Sequence, residues 1–170
     1  MTFGEIVFNS DKDEWNIGTS VFNERINNRS KLLFVIENED REMYGYYLDT
    51  KIDVNGEYQR WIPTNEETFL FSMRSNGRNE GMKKFIMKDK TSGYWLQKNE
   101  NECLISLGAT PAIVLSKKDS KSGILIKNKS YCNQYGERYV DYEGIPNALC
   151  GRDGIFDQFE LIRILVIQMI

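Results

Sequence analysis

Three cysteines, Cys103, Cys132 and Cys150, are the thiol nucleophiles of this chain, and no histidine stands anywhere in it to activate them. The thiolate is the reactive form of cysteine, and neighbouring positive charge raises its population. Lys127 and Lys129 lie close to Cys132 in sequence, which makes Cys132 the first candidate for a redox-responsive thiol. Cys150 is the second, because Leu149-Cys150-Gly151-Arg152-Asp153-Gly154 has the glycines of a tight turn that would expose it. Cys103 opens an apolar, strand-like run and reads as small core filler. The wide spacing of the three supports neither a paired disulfide framework nor the close doublets of a zinc site. The missing histidine removes the usual general base, the commonest metal ligand and the Ser-His or Cys-His pair together. The expectation is a protein without catalytic residues, metal or cofactor, and therefore not an enzyme.

Lys117, Lys118, Lys121, Lys127 and Lys129 stand within thirteen positions against one acid, Asp119. Such a basic segment could contact phosphates, so a DNA-binding regulator is the alternative function. The same lysines would equally serve as a solvated loop guarding a strand edge. Glycine strings such as Gly151-Arg152-Asp153-Gly154 are not followed by the Lys-Ser or Lys-Thr of a phosphate-binding loop. Acidic clusters, including Glu37-Asn38-Glu39-Asp40, fall in predicted turns, where carboxylates are ordinarily solvated. Trp61, Trp95, Tyr131, Tyr135, Tyr139 and Tyr142 fall in or beside loop-like segments, and loop aromatics are enriched at interfaces. Partner binding is therefore the leading class.

The elements that must position these residues are mostly strands. Phe3 to Phe8 reads as an opening strand, and Asn9, Ser10 and Asp11 as a turn or helix cap. Trp15, Val21, Phe22 and Ile26 suit a helix over Asp13 to Asn27, weakened at Gly18. Leu32 to Ile36 and Met43 to Leu48 form a predicted hairpin whose first strand is buried. Short strand-like runs follow at Thr68 to Met73, Lys84 to Met87, Gly93 to Leu96, Cys103 to Leu107 and Ala112 to Leu115. Phe159 to Met169 is apolar and rich in β-branched side chains, so a central strand is predicted there. Spacing of this kind points to antiparallel sheets, and the predicted fold is mainly β (α+β), a two-sheet β-sandwich with a few flanking helices.

Length and composition set the frame. The 170 residues suffice for a single domain over 1–170, and 41% hydrophobic with 28% charged content is ordinary for a globular core. A formal charge of -3 creates no global field that would attract nucleic acid or an anionic membrane. No secretory-type start and no apolar run near membrane-spanning length is visible, so a cytoplasmic location is expected.

Several strings, taken in order, resemble the TLDc family of oxidation-resistance proteins. Thr19-Ser20-Val21-Phe22 leading into Leu32-Leu33-Phe34-Val35-Ile36 is similar to the family's helix and first core strand. Met43-Tyr44-Gly45-Tyr46-Tyr47 takes the place of its aromatic-glycine strand, and Thr68-Phe69-Leu70-Phe71-Ser72-Met73 that of its apolar strand ending near a serine. Cys103 to Leu115, turning at Gly108, then Ser130-Tyr131-Cys132-Asn133-Gln134-Tyr135, Asn147-Ala148-Leu149 and Phe159 to Val166 resemble the remainder. The resemblance to a divergent member of this family implies a sandwich flanked by helices, no catalytic site, a part in oxidative-stress protection, and a protein partner among the subunits of the vacuolar proton-pumping ATPase.

Overall fold

β-Branched and aromatic side chains dominate the runs that pair, and in the computed structural model they form strands that pair antiparallel with their neighbours. The structure describes residues 2–54, 60–65, 67–75, 81–108, 112–120, 129–132, 139–140, 149 and 157–170, the backbone alone at 129–132, 139–140 and 157. The strands are β1 (Phe3–Asn9), β2 (Leu32–Asn38), β3 (Met43–Leu48), β4 (Phe69–Arg74), β5 (Lys83–Met87) and β6 (Tyr94–Leu96). They continue with β7 (Cys103–Leu107), β8 (Ile113–Ser116), β9 (Lys129–Cys132), β10 (Tyr139–Val140) and β11 (Asp157–Met169).

Hydrogen bonding runs in the order β10-β5-β4-β3-β2-β11-β9-β8-β7-β6, with β1 paired to β11. The last strand divides this path into the two layers of the sandwich. Asp157 to Glu160 pair with β9 in the second sheet, whereas Leu161 to Gln168 pair with β2 in the first. Between them lies a bulge. Leu161 opposes Asn38 and Arg163 opposes Glu37, leaving Ile162 as the extra residue that bends the strand from one sheet into the other.

The two inner faces meet in an aromatic and aliphatic core. Tyr44 packs edge-on against Phe159 at 5.7 Å, linking the first sheet to the crossing strand. Tyr46 is fully buried and donates its hydroxyl to the Gly93 carbonyl at 2.8 Å, so its phenol stays satisfied inside the core. Phe34, Ile36, Leu70 and Phe85 from the first sheet join Leu96, Ile105, Leu107 and Ile113 from the second in one cluster.

The helix predicted over Asp13 to Asn27 shrinks to α1 (Phe22–Ile26), which packs Phe22 edge-on against Phe8 at 5.1 Å. Long-range bonds explain the loss. Ile17 N–H donates to the Asp119 carboxylate at 2.7 Å and Gly18 N–H to the Asn99 carbonyl at 2.8 Å, with Gly18 at φ +78°, outside helical space. Asn9 also closes a turn, not a helix cap, because its carbonyl accepts from Lys12 and Asp13 while its amide donates to the Asp13 carboxylate at 2.7 Å.

Candidate functional site

Among the described residues, those singled out from the sequence do not converge on one site. Cys103 begins β7 opposite Ser116 and is half-buried; burial, then Glu102, push its thiol up, and Lys117 only partly opposes them. Cys132 ends β9, opposite Ile113 on β8 and Asp157 on β11. Cys150 lies outside the described residues, as do Lys121 and Lys127. Lys129 heads β9 opposite Glu160. Among the described residues, no group of three His, Cys, Asp or Glu could hold a metal ion.

Lys117 needs a correction, because it belongs to no exposed basic face. It is 2% exposed, and its ammonium donates to the carbonyls of Lys98 at 3.0 Å, Asn99 at 2.5 Å and Asn101 at 2.7 Å. Burial pushes its pKa below the ordinary lysine value, while Glu100, Cys103 and Asp119 pull it back. The side chain works as an internal clamp on the loop between β6 and β7, the same loop that receives the Gly18 amide. Lys118, its neighbour, is exposed. A notch of about 220 Å³ lies beside them, lined by Trp15, Lys117, Lys118, Glu160, Leu161 and Ile162.

Trp61 and Trp95 pack edge-on at 5.9 Å and are both half-buried, so each covers the other. Tyr131 and Tyr139 lie in β9 and β10, whereas Tyr135 and Tyr142 fall outside the described residues.

A different surface carries apolar side chains that the core does not absorb. Pairing places Ile167, Leu33, Tyr47, Phe69 and Ile86 in one cross-strand row on the outer face of the first sheet. Leu165, Val35, Gly45, Phe71 and Lys84 make the next row. Gly45 has a specific function there. A methyl built on it would stand 1.8 Å from the Phe34 carbonyl oxygen and 2.7 Å from Phe71 Cζ, so the absence of a side chain lets the Phe71 ring close over the strand.

Across these rows the face deepens into a groove of about 270 Å³ between Leu33, Phe69, Phe71, Met73 and Met82. Met82 is 75% and Met73 41% exposed, although unbranched apolar side chains ordinarily seek cover. Lys83 and Lys84 line the same groove, and the Lys84 ammonium sits 4.0 Å above the Phe69 ring. At the far end of the face Glu37 accepts from Arg41 at 3.2 Å and Arg74 at 3.4 Å. Tyr47 donates to Asp49 at 3.2 Å, and burial, reinforced by Asp49, pushes its hydroxyl up to about 12.

This surface was missed in the sequence because Phe69-Leu70-Phe71-Ser72-Met73 is apolar on both faces of its strand. Such a run reads as buried on both sides. The available signal was the company it keeps, since Met82 directly precedes Lys83 and Lys84.

Comparison with curated protein sequences returned no match. A family model for the TLDc domain matches residues 4–145, from β1 past β10 and short of the crossing strand β11. The similar strings at Asn147 to Leu149 and Phe159 to Val166 lie beyond the matched stretch. Matched over most of its length, and folded as a two-sheet antiparallel sandwich, the chain belongs to the TLDc domain family.

Proposed function

We propose that this chain is a non-enzymatic TLDc domain, one folding unit over 1–170, that works by holding a protein partner and takes part in oxidative-stress protection. The observation that carries the reading is the outer face of the first sheet, where Met73, Met82 and Ile86 stand exposed beside Lys83 and Lys84. An apolar surface of that kind on a protein otherwise able to bury its core is ordinarily an interaction site. Among the described residues no helix is long and apolar enough to cross a membrane. Cytoplasmic action on the subunits of the vacuolar proton-pumping ATPase is the specific version that family membership supports.

Affinity purification of the tagged chain from its own cells, before and after peroxide treatment, tests this. The reading expects stoichiometric recovery of a defined protein, with pump subunits enriched. Recovery of the chain alone under both conditions would count against partner binding, and a partner set without pump subunits against the specific version. The DNA-binding alternative has lost a member of its basic segment, since Lys117 spends its charge inside the protein.

A further inference from the structure

We propose that the backbone carbonyls of Lys98, Asn99 and Asn101 form a site for a monovalent cation, ammonium or potassium, which the wild-type chain fills with its own Lys117 ammonium. Three observations carry this.

The first is convergence. The three carbonyl oxygens stand 3.0, 2.5 and 2.7 Å from one point, the Lys117 nitrogen. Bringing the negative ends of three peptide dipoles together is unfavourable unless a cation stands between them. The distances are too long for magnesium, which takes oxygen at about 2.0–2.1 Å, and two of the three exceed the roughly 2.3–2.6 Å of calcium. All three ligands are also neutral. A ring of backbone carbonyls is the surrounding that replaces the hydration shell of potassium.

The second is that the loop keeps this shape through bonds that do not pass through the Lys117 side chain. The Asn101 amide donates to the Lys98 carbonyl at 3.0 Å, and the Gln97 amide to the Leu104 carbonyl at 3.3 Å. The side-chain amide of Asn101 donates to Gln97 Oε1 at 3.0 Å. From outside the loop, the Gly18 amide holds the Asn99 carbonyl at 2.8 Å, and the two lone pairs of that oxygen accept both Gly18 and Lys117. With the lysine arm cut away, these bonds keep the oxygens converged.

The third is field and access. Burial disfavours a charge at this point, but Glu100 and Asp119 favour the ammonium, and they would favour any other cation there for the same reason. Lys117 also lines the notch of about 220 Å³ beside Trp15 and Glu160, which gives a small ion a way in.

For the wild type the consequence is indifference to the surrounding salt. Tethering spares the ammonium the translational freedom that a dissolved ion loses on binding. The join between the β6–β7 loop and the turn at Ile17 and Gly18 therefore holds whichever cation dominates the medium.

The test compares thermal midpoints of the full-length wild type, Lys117→Ala and Lys117→Leu in the chlorides of ammonium, potassium and tetramethylammonium at equal ionic strength. Leucine keeps the inner part of the arm's apolar contact and ends short of the carbonyls. Both variants should melt lowest in tetramethylammonium, an ion too large for the ring. In ammonium or potassium, at about ten times the half-saturating concentration, they should gain roughly 3–6 °C beyond any change in the wild type. Crystals of Lys117→Leu grown in rubidium chloride should show an anomalous peak in contact with all three oxygens.

Variants whose midpoints track the wild type across the three salts overturn the proposal, as does a map without rubidium at the three carbonyls. Failure of both variants to fold in any of the salts overturns it too, since a loop that needs the lysine arm itself is not a preformed site.

Discussion

Replacing Lys117 by methionine removes the ammonium but keeps most of the side chain's length and apolar contact. Three backbone carbonyls, of Lys98, Asn99 and Asn101, then lose their donor. Each hydrogen bond from a charged donor contributes roughly 1.5–3 kcal/mol, and stripping water from the ammonium offsets several kcal/mol of their total. Lys98, Glu100 and Asn101 are exposed in the loop, so water would take over part of the lost bonding. The net loss expected is about 2–4 kcal/mol, seen as a fall of roughly 5–15 °C in Tm for a chain of this size. Urea denaturation gives the free energy, and amide exchange gives its location. The Gly18 amide, bonded to Asn99, and the Lys117 amide, bonded to Glu102 at 2.7 Å, should exchange earlier than amides of the β2–β3 hairpin. A loss below about 0.5 kcal/mol, the range of an ordinary surface substitution, would refute the clamp and return Lys117 to the solvated segment.

Gly45→Ala should destabilise by about 1–3 kcal/mol in the same denaturation assay, the usual range for overpacking, because the new methyl meets the Phe34 carbonyl oxygen at 1.8 Å; an unchanged midpoint would show that the strand yields freely. The Tyr47 phenol should titrate near pH 12 by NMR of ring-labelled tyrosine, with the signal assigned by Tyr47→Phe. Its folded value lies above the ordinary 10.0, so the protonated form is favoured in the fold, and the stability it contributes is present below pH 10 and is lost as pH rises from 10 through about 12. Cys103 should react with iodoacetamide more slowly than free glutathione at neutral pH, since burial and Glu102 push its thiol up. Mass-spectrometric rates for the three cysteines would also decide between Cys132 and Cys150 as redox candidates, and equal sluggishness at all three would remove the sensor idea.

Most strands were legible because their side chains are β-branched or aromatic and their turns carry glycine, asparagine and lysine. Cys103 to Leu107 falls where the spacing places it, and Phe159 to Met169 lies within the long final strand. That strand's passage between two sheets was not legible, since the bulge at Ile162 depends on which neighbours each half finds. The helix over Asp13 to Asn27 failed for a related reason. Its apolar spacing is helical, but Asn99 and Asp119, more than eighty positions away, capture its amides. Lys117 looked like one more solvated cation, and only the folded loop provides the three carbonyls that draw it inside. For the outer face of β4 and β5, composition hid the answer: a strand apolar on both faces looks the same whether its second face meets the core or lies outside it.

Whether the face bearing Met73 and Met82 is where a partner sits can be read directly by methionine oxidation. The partner-bound chain, purified from its own cells, and the free chain would be exposed to a brief hydroxyl-radical pulse and compared by mass spectrometry. Met73 and Met82, open in the free chain, should oxidise several-fold more slowly in the complex. Met169, at the end of β11, serves as the reference and should not change. If Met82 reacts as fast in the complex as in the free chain, the partner binds elsewhere and the outer face of β4 and β5 is not the site.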